Sequence, residues 1–111
     1  MKSSLAELLA QIPGAPSDKW PQGERYAEAF RHGSMSVGYY APVGQDPQGP
    51  HQQDELYIIH HGTGVISING TRHRFSPGDV FFVAAKVEHR FDEFSTGFAA
   101  WVVFWGPPGG E

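Results

Sequence analysis

The sequence predicts an all-β fold, a single antiparallel β-barrel of the jelly-roll type with one short helix at its N-terminus. Glycine and proline supply 14 and 9 of the 111 residues, a density of turn-forming residues that favours short strands over long helices. About seven or eight runs rich in β-branched and aromatic residues lie between these turns. No connection is long enough for a crossover helix, so neighbouring strands should be antiparallel.

The first 24 residues predict a helix and an arm that pack outside the barrel. Ser3 or Ser4 can cap a helix over residues 3–11, where apolar residues recur at helical spacing. The prolines and glycine that follow end this helix. Trp20 is expected to hold the remaining loop against the body of the protein.

The barrel is predicted over residues 25–105, followed by a tail at 106–111, and a chain of this length matches one domain. Strand-forming residues fill the segment 25–41, and a turn-rich loop without core-forming residues, 42–50, follows it. Asn69-Gly70 predicts a tight hairpin, because both residues accept the positive φ of a type I′ turn. The later strand-like runs are 56–59, 65–68, 71–75, 80–83, 89–94 and 98–105.

Composition and charge argue against several classes of function. The net charge is −4 and no basic run occurs, which argues against nucleic-acid binding. The chain has no cysteine, so a metal ion would have to be bound by histidine, aspartate or glutamate. No apolar run reaches the length of a signal peptide or a membrane span. We therefore expect a cytoplasmic protein that does not contact membranes.

His51 and Glu55 form the most informative pair of polar residues. They are four positions apart at the start of a predicted strand, so both side chains can point to one face of an extended segment. A neutral imidazole and a carboxylate are ligands suited to Fe, Mn, Zn or Ni. Taken alone, the pair fits a solvated surface equally well.

Two longer segments give this pair a context. The segments PHQQDELYIIHHGTG at 50–64 and PGDVFFVAAKVEHRF at 77–91 resemble the two motifs of the cupin superfamily. The resemblance covers about residues 35–105 and is to small single-domain cupins. It implies that Glu55 stands at the motif glutamate, His51 at the second histidine of the first motif, and His89 at the histidine of the second motif.

The resemblance also implies a difference from the family pattern. The position of the first motif histidine is Gly49, so three protein ligands remain, His51, Glu55 and His89. Two histidines and one carboxylate resemble the triad of non-haem iron oxygenases and leave coordination positions for water, substrate or O₂. The implied function is a metal-dependent small-molecule enzyme of dioxygenase type. The alternatives are a non-catalytic ligand-binding or sensing module, a metal-dependent isomerase or lyase, and a metal-free interaction protein.

Two further residues are candidates for catalysis. Tyr57 has the same parity as Glu55, and its hydroxyl would orient a substrate if it lines the interior; an aromatic core residue is the alternative. Gln53 lies two residues from both His51 and Glu55, where it could replace a ligand or bind a water molecule. An exposed loop glutamine explains Gln53 as well.

The remaining polar and aromatic residues support weaker expectations. Arg72 and Arg74 share a strand face that could attract an anion or simply be solvated. The aromatic residues exceed what so small a core needs, which predicts a homodimer. The other histidines are expected as follows: His61 in the pocket or exposed by the adjoining turn, His60 on the outer face, His73 facing inward but not a ligand, and His32 on the surface.

Overall fold

The computed structural model describes residues 1–111 and consists of eight strands and one short helix. All six strand pairings are antiparallel, as predicted. The elements are α1 (Leu5–Leu9), β1 (Tyr26–His32), β2 (Met35–Tyr40), β3 (Asp54–His61), β4 (Gly64–Ile68), β5 (Thr71–Phe75), β6 (Val80–Val83), β7 (His89–Phe94) and β8 (Ala99–Trp105).

The strands form two sheets that enclose the core. The larger sheet has the order β1-β2-β8-β3-β6, and the smaller sheet has the order β5-β4-β7. The core consists of buried side chains from both sheets, among them Tyr57 and Ile59 of β3, Ile66 of β4 and Phe91 of β7. The jelly-roll prediction is confirmed, although side-chain packing rather than a continuous hydrogen-bonded ladder joins the two sheets.

The helix α1 packs on the outer side of the larger sheet. Ser4 caps it by accepting a hydrogen bond from the backbone N–H of Glu7 at 3.2 Å. Leu8 is fully buried against Ala27 of β1 and Tyr39 of β2. The helix is shorter than the predicted 3–11, because residues 10 and 11 already form a turn. Nowhere does the structure contain a helix with the length and apolar character needed to cross a membrane.

Two local predictions are confirmed in detail. Asn69 and Gly70 have φ values of 49° and 81°, and Ile68 pairs with Thr71 across the turn, as a two-residue hairpin requires. Trp20 packs edge-on against Tyr40 with ring centroids 6.0 Å apart. This contact holds the arm over one end of the core, next to the site described below.

Candidate metal centre

Strand β3 presents a carboxylate and a phenol to the interior. Glu55 and Tyr57 are almost fully buried, while Leu56 and Ile58 lie on the opposite, outer face. This alternation follows from the two-residue period of an extended strand. Tyr57 shares a core cluster with Ile66 of β4 and Phe91 of β7, so the inward side chains of β3 face the smaller sheet.

His89, the first residue of β7, meets Glu55 from the opposite sheet. Its Nδ1 lies 3.0 Å from the carbonyl oxygen of Val87. Because a carbonyl only accepts hydrogen bonds, Nδ1 carries the proton, and in the neutral ring Nε2 therefore has a free lone pair. This Nε2 lies 3.1 Å from Oε1 of Glu55.

The two facing atoms are buried and have no hydrogen-bond partner of acceptable geometry. A neutral Nε2 and a carboxylate oxygen are both acceptors, so their proximity needs a proton or a cation between them. Burial disfavours the charged form of His89, but the adjoining Glu55 carboxylate outweighs burial and raises the pKa of the imidazole. A separation near 3 Å also suits two ligands at right angles on a metal ion with bonds of about 2.1 Å. The pair therefore fits a metal ion.

His51 completes the group from the end of the loop between β2 and β3. Its Nε2 lies 3.8 Å from Oε1 of Glu55, and its ring centroid lies 5.2 Å from that of His89. Burial lowers the pKa of His51, which favours the neutral form that binds metals. One ligand atom from each of the three residues lies within 4.8 Å of the others. The structure thus brings together the three predicted ligands from distant parts of the chain.

Tyr57 lies beside this group as a hydrogen-bond donor. Its hydroxyl donates to Oε1 of Gln48 at 3.1 Å. Complete burial, followed by the negative charge of Glu55, raises the pKa of the phenol well above its ordinary value. Tyr57 therefore keeps its proton and can direct it towards an oxygen atom in the site.

Gln53 does not join the group, which corrects its placement as a catalytic candidate. Its side-chain nitrogen donates to the backbone carbonyls of Ser34 and Gly106, each at 2.9 Å. These bonds connect the β1–β2 turn and the end of β8 to the start of β3. These two hydrogen bonds, which the even spacing from His51 did not indicate, hold the side chain of Gln53 between these segments.

The other histidines lie outside the metal centre. The pocket position considered for His61 is wrong, because a bulge in the pairing of β3 with β8 interrupts the alternation after Ile59 and leaves His61 exposed. His60 is on the outer face as predicted, where its Nδ1 lies 2.8 Å from the hydroxyl of Tyr39. His32 is exposed as expected. His73 is exposed on β5, so the inward position considered for it is wrong.

Arg72 belongs to the solvated face of the smaller sheet. It forms ion pairs with Asp92 at 3.2 Å and with Glu93 at 2.7 Å, and its side chain is largely exposed. Arg74 is also exposed. The ion pairs neutralise the charge of Arg72, so the structure favours the solvated-face interpretation over an anion site.

Two polar residues of the 42–50 loop were missed by sequence reasoning. Asp46 is buried although the loop lacked core-forming residues, and it accepts hydrogen bonds from Tyr40, Phe91 and Gln48. Gln48 contacts His51, with 3.1 Å between Oε1 and Nε2. One feature of the sequence could have indicated Gln48: it directly precedes Gly49, which stands at the position of a motif histidine. No periodicity predicts such contacts in a loop.

A cavity of about 370 Å³ opens onto the group. Its lining includes Glu55, His51, Tyr57 and Gln48. Aromatic side chains form much of the wall, including Trp20 from the arm. Its volume lies within the range of small-molecule sites, about 300 to 1,000 Å³.

Comparison with known proteins identifies the family. Residues 36–105 match the model of the cupin domain. The chain belongs to the cupin family. The cupin shares 38% identity over 85 residues with an uncharacterised protein of Streptomyces coelicolor, covering 75% of the chain and 80% of that protein.

Two further matches are a transcriptional activator and a solved structure. It is 36% identical over 52 residues to the HTH-type transcriptional activator RhaS of Mannheimia succiniciproducens, covering 47% of this chain and 19% of that protein. A solved structure from Ralstonia eutropha, provisionally named a mannose-6-phosphate isomerase, superposes with a TM-score of 0.63. That similarity covers 90% of this cupin and 95% of the other chain at 22% identity, and it shows the shared fold.

Proposed function

We propose that this cupin is a metal-dependent enzyme of dioxygenase type that acts on small organic molecules. His51, Glu55 and His89 would hold one divalent transition metal, with Fe, Mn, Zn and Ni all compatible with two imidazoles and a carboxylate. The observation that carries the proposal is the facing pair of buried atoms without partners, Nε2 of His89 and Oε1 of Glu55. Bound iron would supply the capacity to activate O₂, and zinc or manganese would supply a Lewis acid.

The protein's own residues supply binding and orientation. The hydrogen bond from Nδ1 of His89 to the Val87 carbonyl fixes the ring with Nε2 towards the site. The aromatic part of the cavity wall suits a planar or apolar portion of a substrate. Tyr57 keeps its proton and donates it to Oε1 of Gln48, so a substrate oxygen would have to displace Gln48 to accept it.

Metal analysis of the purified full-length chain tests the metal centre. We expect one divalent ion per chain in the wild type and loss of that ion in His89→Ala. The affinity should fall by more than the roughly 10- to 100-fold typical of removing a residue that supports a ligand. Glu55→Gln provides a second variant, and circular dichroism checks that both variants fold.

The matched control is His73→Ala, which removes an exposed histidine from the smaller sheet. It should leave the metal content unchanged. Equal metal content in His89→Ala and the wild type would refute the proposed metal centre.

Oxygen uptake tests the reaction class. Catechols, diketones and thiols should be screened with the iron-loaded protein, and a substrate should raise oxygen consumption above the background. The same signal should vanish in Glu55→Gln. Tight metal binding without turnover of any of these compounds would instead favour a non-catalytic module.

The similarity to RhaS is the observation that favours such a sensing or ligand-binding module as the second candidate. In this alternative the cavity binds a small molecule and the metal fixes its position without chemistry. Ligand binding by calorimetry, without product formation, would distinguish this function from the enzyme.

A further inference from the structure

The side chain of Gln48 faces the proposed metal centre from the loop between β2 and β3. Its Oε1 lies 3.1 Å from Nε2 of His51 and 3.1 Å from the hydroxyl of Tyr57. Gln48 also lines the same cavity as Glu55. The amide oxygen is therefore within reach of the atoms that would surround a metal ion.

A buried carboxylate determines which end of this amide faces the site. The nitrogen Nε2 of Gln48 donates to Oδ2 of Asp46 at 2.8 Å. Asp46 is 4% exposed and also accepts hydrogen bonds from the Tyr40 hydroxyl and the Phe91 backbone N–H. Because a carboxylate only accepts, the amide nitrogen must face Asp46 and the oxygen must face His51.

The amide oxygen retains the capacity to bind a cation. A carbonyl oxygen has two lone pairs, and the Tyr57 hydroxyl occupies one of them. The other accepts a hydrogen bond from Nε2–H of His51, and because this nitrogen must lose its proton to bind a metal, metal binding would free that lone pair. The separation of 3.1 Å between these two atoms matches that of two neighbouring ligands on one ion with bonds of about 2.1 Å.

We propose that Oε1 of Gln48 is the fourth protein ligand of the metal centre. This inference rests on the proposed function, since it requires that His51, Glu55 and His89 bind a metal ion. Gln48 directly precedes Gly49, so the loop supplies an oxygen donor one residue before the position that lacks a side chain. The resulting donor set has two nitrogen and two oxygen atoms.

An oxygen donor changes the metal preference of the site. Carbonyl and carboxylate oxygens suit Mn²⁺, whereas imidazole nitrogens suit Ni²⁺ and Cu²⁺. Loss of the Gln48 oxygen should therefore reduce the affinity for Mn²⁺ more than the affinity for Ni²⁺. A residue that only supported the loop would weaken the binding of both ions alike.

The test compares Gln48→Met with the wild type. Methionine retains the length of the side chain but removes the amide oxygen. We expect the affinity for Mn²⁺, measured by calorimetry, to fall about 10-fold or more. The affinity for Ni²⁺ should fall less, and the visible absorption spectrum of bound Co²⁺ should change because its coordination has changed.

The control is Gln45→Met, which alters an exposed glutamine of the same loop and should leave both affinities and the spectrum unchanged. Unchanged Mn²⁺ affinity and an unchanged Co²⁺ spectrum in Gln48→Met would overturn the inference. Equal losses for Mn²⁺ and Ni²⁺ without a spectral change would also overturn it and assign Gln48 a structural role. If His89→Ala abolishes metal binding in the same assay, the proposed centre of His51, Glu55 and His89 stands even when the inference about Gln48 fails. A wild type that binds no metal refutes both the metal centre and the role of Gln48.

Discussion

Asp46 is the residue that connects the loop between β2 and β3 to the core. It accepts hydrogen bonds from both the backbone and side-chain nitrogens of Gln48, from the Tyr40 hydroxyl and from the Phe91 backbone N–H. Asp46→Ala would leave a buried backbone donor without a partner. We expect a loss of about 3 kcal/mol in the free energy of unfolding, measured by chemical denaturation.

Asp18→Ala is the matched control for this prediction, because Asp18 is exposed in the N-terminal arm. Its unfolding free energy should stay within about 0.5 kcal/mol of the wild type. If Asp46→Ala is no less stable than Asp18→Ala, the buried carboxylate does not hold the loop.

At the level of single residues, the sequence predicted which candidate ligands lie together better than it predicted their surroundings. The spacing of His51 and Glu55 and the motif resemblance of His89 pointed to one site, and the structure brings them together. Gln48 and Asp46 could not be predicted in this way. Their contacts depend on the path of an irregular loop, which has no repeating geometry from which to infer the direction of a side chain.

Strand β4 begins at a glycine that leaves no room for a side chain. It is the central strand of the smaller sheet, and a Cβ added at Gly64 would lie 2.0 Å from the carbonyl oxygen of Glu93 and 2.8 Å from Cα of Phe94. These are backbone atoms of β7, so relief requires β4 and β7 to separate. Gly64→Ala should lower the free energy of unfolding by about 3 kcal/mol.

Gly49→Ala is the control for this overpacking, since a Cβ there meets nothing within 4 Å and the glycine does not need a positive φ. Thermal and chemical denaturation should show it close to the wild type. Equal stability of the two variants would contradict the close approach of β4 and β7.

Strand positions were predictable where turns mark both ends. Asn69-Gly70 located the β4–β5 hairpin, and the runs predicted at 71–75, 80–83 and 89–94 coincide with β5, β6 and β7. The bulge between Ile59 and His61 was not predictable, because it arises from pairing with β8, about forty residues further along the chain. The pairing of β3 with β8 therefore exposes His61, which alternation along β3 alone would place inside.

For the molecule as a whole, the two faces of the larger sheet carry different roles. The inner face supplies the core and the candidate metal centre, whereas the outer face of β3 and β6 exposes large apolar side chains. Ile58, Val80 and Phe82 are 36%, 57% and 55% exposed, and Ile58 pairs with Val80 across the two strands. Contiguous exposed apolar surface of this kind marks interfaces in soluble proteins.

We therefore expect the protein to form a homodimer in which the outer faces of β3 and β6 pack against their counterparts in a second copy. Phe82→Glu would place like charges opposite each other across a two-fold axis, so it should dissociate the dimer in sedimentation equilibrium.

Val43→Glu, at an exposed apolar residue of the loop after β2, should not change the assembly. Because Phe82 points away from the cavity, its variant should retain the metal affinity of the wild type, which separates dissociation from misfolding. A wild type that is monomeric at high concentration, or a Phe82→Glu variant that dimerises as tightly as the wild type, would show that this face is not the interface.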